Sequence, residues 1–292
     1  MTSPRQQDWL LHGVDFTSAP LARKPITIAT GQFVSKRWQL QSLRTCSDFP
    51  TFLEWLGLPG PWLAAFDLPF SLPRELVEHL GWPQDWKSMI AHYAALTRPE
   101  IRSLFKQFCD ARPVGSKFAH RATDAPAASS PSMKWVNPPV AYMLHAGIPL
   151  LLDAGVTLFD MHAGDPQRIA LEGYPGMVAR SITRNSYKSD DRSKQTPQRR
   201  QTREIIVDHL ERGDYRFGVK LDAGEHRMAL IDDASGDLLD AVLCGVMAGW
   251  AWKRRETRFG LPLFDPLEGW IVGAESSAHP TVVTTPTQAI SS

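Results

Sequence analysis

The sequence predicts an α/β fold, in which a mixed sheet is flanked by helices and a helical insertion occupies the middle of the chain. Three short runs, apolar or alternating and separated by turn residues, open the chain, which is typical of an antiparallel meander. The run WLAAF at 62–66 is apolar at every position, as in a strand covered on both faces. A chain of 292 residues with 43% hydrophobic and 22% charged residues can bury such a core.

Local signals then place the elements in order. The predicted strands lie at 9–16, 25–30, 37–43, 62–66, 156–159 and 168–172. Polar caps at Ser47 and Asp48 and a stop at Gly57 predict a helix between the third and fourth strands, so the fourth strand returns to the centre of the sheet. Residues 73–152 carry apolar residues at helical spacing, interrupted by a loop rich in proline and serine, and they predict a helical insertion or lid.

Two helices are predicted late in the chain. Pro197 in a first turn and Gly213 after the last turn bound one of them. The other opens at Ser235 or Asp237 and is apolar nearly all round as far as Trp252, which indicates a deeply packed helix. We therefore expect one domain over 1–275, followed by a disordered polar tail over 276–292.

Charge and cysteine content exclude several classes of protein. The formal net charge is only +1, so any electrostatic specialisation must be local. The three cysteines stand far apart without C-x-x-C spacing, which argues against a disulfide framework or a zinc knuckle and suggests a reducing, cytoplasmic setting. The first residues lack the apolar run of a signal peptide, and no stretch reaches the ~18 apolar residues of a membrane helix. We expect no membrane partner.

Acidic residues stand where apolar segments end. Asp15 follows the first strand and Asp67 the fourth, and the carboxyl ends of central strands are where open α/β sheets place ligands. Asp237 and Asp240 are three residues apart, so they share a face at the start of the buried helix. Mg²⁺ and Mn²⁺ prefer carboxylate oxygens, and these four aspartates are the candidate metal ligands and catalytic acids, with Glu172 as a peripheral acid. Two such ions about 4 Å apart promote in-line phosphoryl transfer.

Each of these acids also has an ordinary structural explanation. Asp237 and Asp240 lie in a first helical turn, where capping and the helix dipole favour acidic residues. Asp15 and Asp67 can each begin a turn, and Glu172 can cap the helix that follows it. The metal hypothesis therefore depends on all of them being placed together.

Several segments resemble a known family. They are GVDFTSAP, AFDLPFSLP, HRATD, LEGYPG, the pair Tyr187 and Lys188, and DLLDAVLCGVMAGWAW. These segments are similar to the predicted RNase H-like nucleases grouped as domain of unknown function 429, over roughly residues 10–270. The resemblance implies a ribonuclease H-like, five-stranded mixed sheet with the first three strands antiparallel. Holliday-junction resolvases of that superfamily carry acids that correspond to Asp15, Asp67, Asp237 and Asp240, although glutamate is the common residue at the position of Asp67.

Basic residues are the second indication of a nucleic-acid partner. Residues 180–203 contain eight basic and two acidic side chains, a local balance of about +6 that would attract a phosphate backbone. A solvated mobile loop explains the same composition. We expect Lys188, Arg203, Arg121 and Thr17 to contact the substrate, while Tyr187 could stack on a base.

The sequence thus predicts a nuclease that depends on Mg²⁺ or Mn²⁺ and hydrolyses DNA or RNA. One alternative is a protein that kept the fold and binds metal or nucleic acid without turnover. Another is a phosphotransferase of the actin and sugar-kinase kind, which Asp15 and Thr17 superficially fit, but the chain has none of the glycine-rich phosphate turns of that class.

Overall fold

A computed structural model describes residues 9–276 and contains a mixed sheet of seven strands with helices on both faces. The strands are β1 (Leu10–Asp15), β2 (Ile26–Val34), β3 (Arg37–Cys46), β4 (Trp62–Asp67), β5 (Val156–Leu158), β6 (Asp165–Glu172) and β7 (Lys220–Asp222). The helices are α1 (Phe49–Leu56), α2 (Arg74–His79), α3 (Trp86–Ala94), α4 (Arg98–Asp110), α5 (Asp124–Ala127), α6 (Val140–Asp153), α7 (Pro175–Arg180), α8 (Pro197–Arg212), α9 (Arg227–Asp232) and α10 (Asp237–Trp252).

The sheet has the strand order β5-β6-β4-β1-β2-β3-β7. β1, β2 and β3 form the predicted antiparallel meander, and β4 lies parallel to β1 at the centre. The sheet has seven strands, not the five that the family resemblance implies. β5 lies within the strand predicted at 156–159, whereas β7 was not predicted. β7 has only three residues, too few to show a periodic pattern, and it is defined by its pairing with β3, where Leu221 lies opposite Trp38.

Two hydrophobic layers cover the sheet, and alternate residues of the central strands divide between them. Leu11 and Leu63 face a layer built from α7, α8 and α10, whereas Val14 and Phe66 face a layer built from α1 and the helices between β4 and β5. The segment 73–152 that was predicted to be helical holds α2 to α6. β1 and β4 are therefore covered on both faces, as the apolar run at 62–66 indicated.

Helix α10 is packed into the first of these layers along nearly its whole length, as its apolar sequence predicted. It begins at Asp237, one of the two starts that the sequence predicted. The N-cap position is Gly236, and the carboxylate of Asp233 accepts hydrogen bonds from the backbone N–H groups of Ser235 (3.1 Å) and Leu238 (2.9 Å). In residues 9–276 every helix is too short or too polar to cross a lipid bilayer. Residues 277–292, most of the predicted tail, lie outside the described part.

Candidate metal centre

Asp15 and Asp67 are held side by side by the two central strands. β1 and β4 are parallel, and their register pairs Asp15 with Asp67 at the carboxyl ends. Side chains alternate along a strand, so both aspartates lie on the same face as Leu11 and Leu63, which is the face covered by α10. The sheet alone therefore aims two carboxylates toward that helix.

Asp240 completes the cluster from the first turns of α10. The helix lies against β1 at Gly13, where a Cβ atom would stand 2.0 Å from both the Ala241 carbonyl oxygen and the Gly245 nitrogen. Only glycine permits this backbone approach. One carboxylate oxygen from each of Asp15, Asp67 and Asp240 lies within 4.8 Å of the other two. Asp240 is fully buried and the other two are partly buried.

The three carboxylates are held together against their mutual repulsion. Burial, and then the charge of Asp240, raise the pKa of Asp67 to about 7. Burial also raises the pKa of Asp15 well above its usual value, with the charges of Asp240 and Asp67 as further causes. Such repulsion is what a divalent cation relieves, and carboxylate oxygens are the ligands that Mg²⁺ and Mn²⁺ prefer. The donor set therefore fits such an ion.

Lys188 and Tyr187 occupy both oxygens of Asp240. The Tyr187 hydroxyl donates to Oδ1 (2.5 Å), and the Lys188 ammonium forms an ion pair with Oδ2. Burial is the largest single effect and lowers the pKa of Lys188, but the charges of Asp240, Tyr187 and Asp15 and the hydrogen bond to Asp240 together raise the pKa well above its usual value. The lysine side chain is 42% exposed and reaches the cluster from the solvent side. It supplies a fixed positive charge beside the three acids.

Arg203 holds this pair in place and does not contact the solvent. Its guanidinium is buried and donates to the carbonyl oxygens of Tyr187 (2.6 Å) and Ile231 (2.7 Å). The predicted substrate contact at Arg203 is therefore wrong, because the side chain has no free surface to offer. Tyr187 is likewise buried against Asp240, so it is not available to stack on a base.

Asp237 lies outside the cluster of three acids. It is the first residue of α10, is partly exposed, and lines the cleft in front of the cluster. Burial, as the largest cause, raises its pKa, while the charge of Lys24 lowers it. Three of the four predicted aspartate ligands thus converge, and the fourth, Asp237, lines the mouth of the site, where its predicted role stays a prediction.

Glu172 and Arg121 form a buried ion pair beside the cluster. The Glu172 carboxylate accepts from Arg121 Nη1 (2.7 Å) and Nη2 (2.6 Å), and from the backbone N–H of Phe70 (3.0 Å). The guanidinium also donates to Asp124 (2.9 Å). Both partners join the end of β6 to the insertion, and both also line the small pocket that reaches Asp67, so the predicted substrate contact at Arg121 and the predicted peripheral acid at Glu172 stay predictions. The sequence did not predict the role of Asp124 in this pair, and its position in the segment HRATD is the only feature of the sequence that could have indicated it.

Two cavities meet at Asp67 and Lys188. A cleft of ≈ 680 Å³ extends from Asp15 past Thr17 to Lys24 and Asp237. A smaller pocket of ≈ 200 Å³ lies on the other side and reaches Glu172 and Tyr174. Thr17 is thus placed in the wall of the larger cleft, which Asp15 also lines.

Comparison with protein-family models, curated proteins and solved structures finds no match to this chain. Function must therefore be inferred from the residues of the site. Asp15, Asp67 and Lys188 line the cleft and Asp240 is buried against them, an arrangement that can bind a divalent cation and an anionic ligand together.

Proposed function

We propose that this protein is a divalent-metal-dependent nuclease that hydrolyses phosphodiester bonds of nucleic acid at Asp15, Asp67 and Asp240. The observation that carries the proposal is the convergence of these three acids from β1, β4 and α10 to within 4.8 Å. They lie far apart in the sequence, and they meet at the carboxyl ends of parallel strands, where α/β sheets place their ligands.

The residues have distinct roles in this proposal. Asp15, Asp67 and Asp240 would hold Mg²⁺ or Mn²⁺, which activates a water molecule and polarises the phosphoryl oxygens when bound. Lys188 stands at the edge of the cluster, where its positive charge can attract the phosphate of the substrate. Asp237 and Thr17 line the approach to the acids.

The topology supports assignment to the ribonuclease H-like fold. The antiparallel meander β1 to β3 and the parallel strand β4 beside β1 are the arrangement which the resemblance to the family domain of unknown function 429 implies. In this proposal β5 and β7 are additions at the two edges of the sheet.

The test is calorimetric titration of Mn²⁺ into the wild-type protein, Asp15→Asn and Asp153→Asn, followed by incubation with DNA and RNA. Asp153 is an exposed acid at the end of α6 and serves as the matched control. We expect Mn²⁺ binding and metal-dependent cleavage by the wild type and the control, and neither by Asp15→Asn. Unchanged cleavage by Asp15→Asn would contradict the proposal.

The contact between Lys188 and Asp240 favours a second candidate, a metal- or nucleic-acid-binding protein without turnover. An ammonium that already compensates one carboxylate reduces the need for an ion at the cluster. In the same experiment this second candidate predicts that substrate remains intact in the presence of the wild type and Mn²⁺.

A further inference from the structure

A shallow basic groove lies on the insertion beside the acid cluster. The α4 groove, as we name it, has a volume of ≈ 390 Å³ and is lined by Arg98, Pro99, Arg102, Ser103, Lys106 and Tyr142. All three cationic residues are exposed, and the lining contains no acidic residue. The surface therefore presents concentrated positive charge in a nearly neutral protein.

The α4 groove is continuous with the cleft of the candidate metal centre. Arg98 and Tyr142 line both cavities, so they form the junction between them. The Arg98 guanidinium donates to the carbonyl oxygen of Ser18 (2.7 Å) and lies 4.9 Å from the centre of the Tyr142 ring. These two contacts hold the arginine over the path that leads from Asp15 to α4.

The three cations are spaced for a repeating anion. They stand four residues apart on α4, so each lies about 6 Å further along one side of the helix than the last. Arg102 makes no hydrogen bond or ion pair with any residue in the range 9–276, and it is free to bind a ligand. Lys106 pairs with Asp110, but both are exposed, and such surface pairs are weak.

The basic run that the sequence first suggested is less available. Six of its eight cationic residues already have partners within the protein, namely Arg180, Lys188, Lys194, Arg199, Arg200 and Arg203. Lys194 and Arg200, like Lys106, are paired only at the exposed surface, where such pairs are weak, but Arg180, Lys188, Arg199 and Arg203 are held by backbone carbonyl oxygens or by the buried Asp240. The α4 groove, whose cations line a cavity continuous with the cleft, is the better candidate for contact with a phosphate backbone.

We propose that a nucleic-acid strand with its reactive phosphate at the acid cluster continues along the α4 groove, where Arg98, Arg102 and Lys106 bind successive phosphates. Tyr142, stacked with Arg98, offers a ring face to a base at the junction. This inference rests on the proposed nuclease function. It specifies the substrate as a strand that extends several nucleotides beyond the scissile bond.

The test measures binding without turnover. A labelled single-stranded DNA is titrated with the wild type, Arg102→Gln, Lys106→Gln and the double variant, in metal-free buffer over a range of salt concentrations. Each lost phosphate contact should reduce the slope of log affinity against log salt by about 0.7. Lys87→Gln removes an exposed cation on α3 outside both cavities and should keep the wild-type slope. A slope unchanged by Arg102→Gln and by the double variant overturns the proposal.

Two further arms separate this inference from the nuclease proposal. Asp15→Asn leaves the groove cations in place, so it should keep the wild-type salt slope even though it abolishes hydrolysis. If Asp15→Asn still hydrolyses the substrate, the nuclease proposal is refuted but binding along the α4 groove is not. If the groove variants reduce the slope of log affinity against log salt, binding along the α4 groove is supported, and the nuclease proposal is not tested by that result. RNA of the same sequence replaces DNA in a parallel series, and a reduced slope with either polymer supports the groove.

Discussion

Replacement of Asp67 by asparagine is expected to stabilise the protein above about pH 7 when no metal is present. Burial and the charge of Asp240 raise the pKa of the Asp67 carboxyl to about 7 from its ordinary 3.8. A carboxyl with a higher pKa in the folded chain than in the unfolded chain reduces stability as the pH rises between the two values. The difference corresponds to roughly 4 kcal/mol at about 1.36 kcal/mol per pH unit. This value is an upper bound on the change in the free energy of unfolding from Asp67 alone, because the neighbouring carboxyls titrate together with it and share the pKa shift.

The assay is urea unfolding followed by tryptophan fluorescence, with a chelator present, from about pH 5 to about pH 8. The wild type should lose stability across this range, and Asp67→Asn should lose much less. Addition of Mn²⁺ at about 100 times its dissociation constant should then stabilise the wild type by about 2.7 kcal/mol and leave the variant nearly unchanged. Asp153→Asn serves as the control. If Asp67→Asn is less stable than the wild type at about pH 8 in chelator, the carboxylate holds the fold together and the reasoning fails.

Three further predictions concern the surroundings of the site. Burial lowers the pKa of His12 from 6.5 to about 3. The free energy of unfolding of the wild type should therefore fall by roughly 1.36 kcal/mol per pH unit as the pH drops below 6.5, because the unfolded chain binds a proton at this residue and the folded chain does not. His12→Gln should show a smaller loss over the same pH range in urea unfolding. Glu172→Gln leaves Asp124 as the only carboxylate partner of the buried Arg121 guanidinium among the described residues and should cost about 1.5–3 kcal/mol, measured by the same unfolding assay; a loss below about 1 kcal/mol would contradict the structural role of the pair. Gly13→Ala should lower the free energy of unfolding by at least about 1–3 kcal/mol and weaken Mn²⁺ binding in calorimetry, because the new methyl group meets the backbone of α10. Gly57→Ala is the control: the nearest atoms to its new methyl group are at 3.5 Å, so stability and Mn²⁺ binding should both change much less.

The sequence predicts the parts of the site that depend on local pattern. Asp15 and Asp67 end runs whose apolar content marks them as central strands, and Asp240 follows from the burial of an apolar helix. Strand alternation and parallel register then bring the acids to one face. The sequence could not separate Asp237 from Asp240, because that distinction depends on where the helix begins relative to the sheet. Asp237 is the first helical residue and reaches the cleft mouth, whereas Asp240 lies almost one turn deeper.

The other interactions that the sequence did not predict are between residues that are distant in the chain. Arg121 and Glu172 are separated by 51 positions, and nothing local indicates that they neutralise each other. Arg203 resembles a surface cation on a basic helix, yet it is buried because α9 and the segment before α8 supply carbonyl groups for it to bind. Composition alone cannot show which cations are satisfied within the fold. The α4 groove was not predicted, because its three cations are separated along the chain by the apolar residues of the buried face of α4, and its connection to the cleft depends on the fold.

The ion pair between Lys188 and Asp240 has a consequence for which ions this protein would accept. Both oxygens of Asp240 already accept hydrogen bonds, so an ion that binds all three aspartates competes with the Lys188 ammonium for this carboxylate. Sodium or potassium brings the same single charge as the lysine it replaces, and so gains nothing in charge compensation. Mg²⁺ or Mn²⁺ would bring one charge more and would leave a displaced lysine near the cleft for an anionic ligand. In the proposed metal site, Lys188 would therefore favour divalent over monovalent ions, and binding of the ion would release the ammonium to contact the substrate.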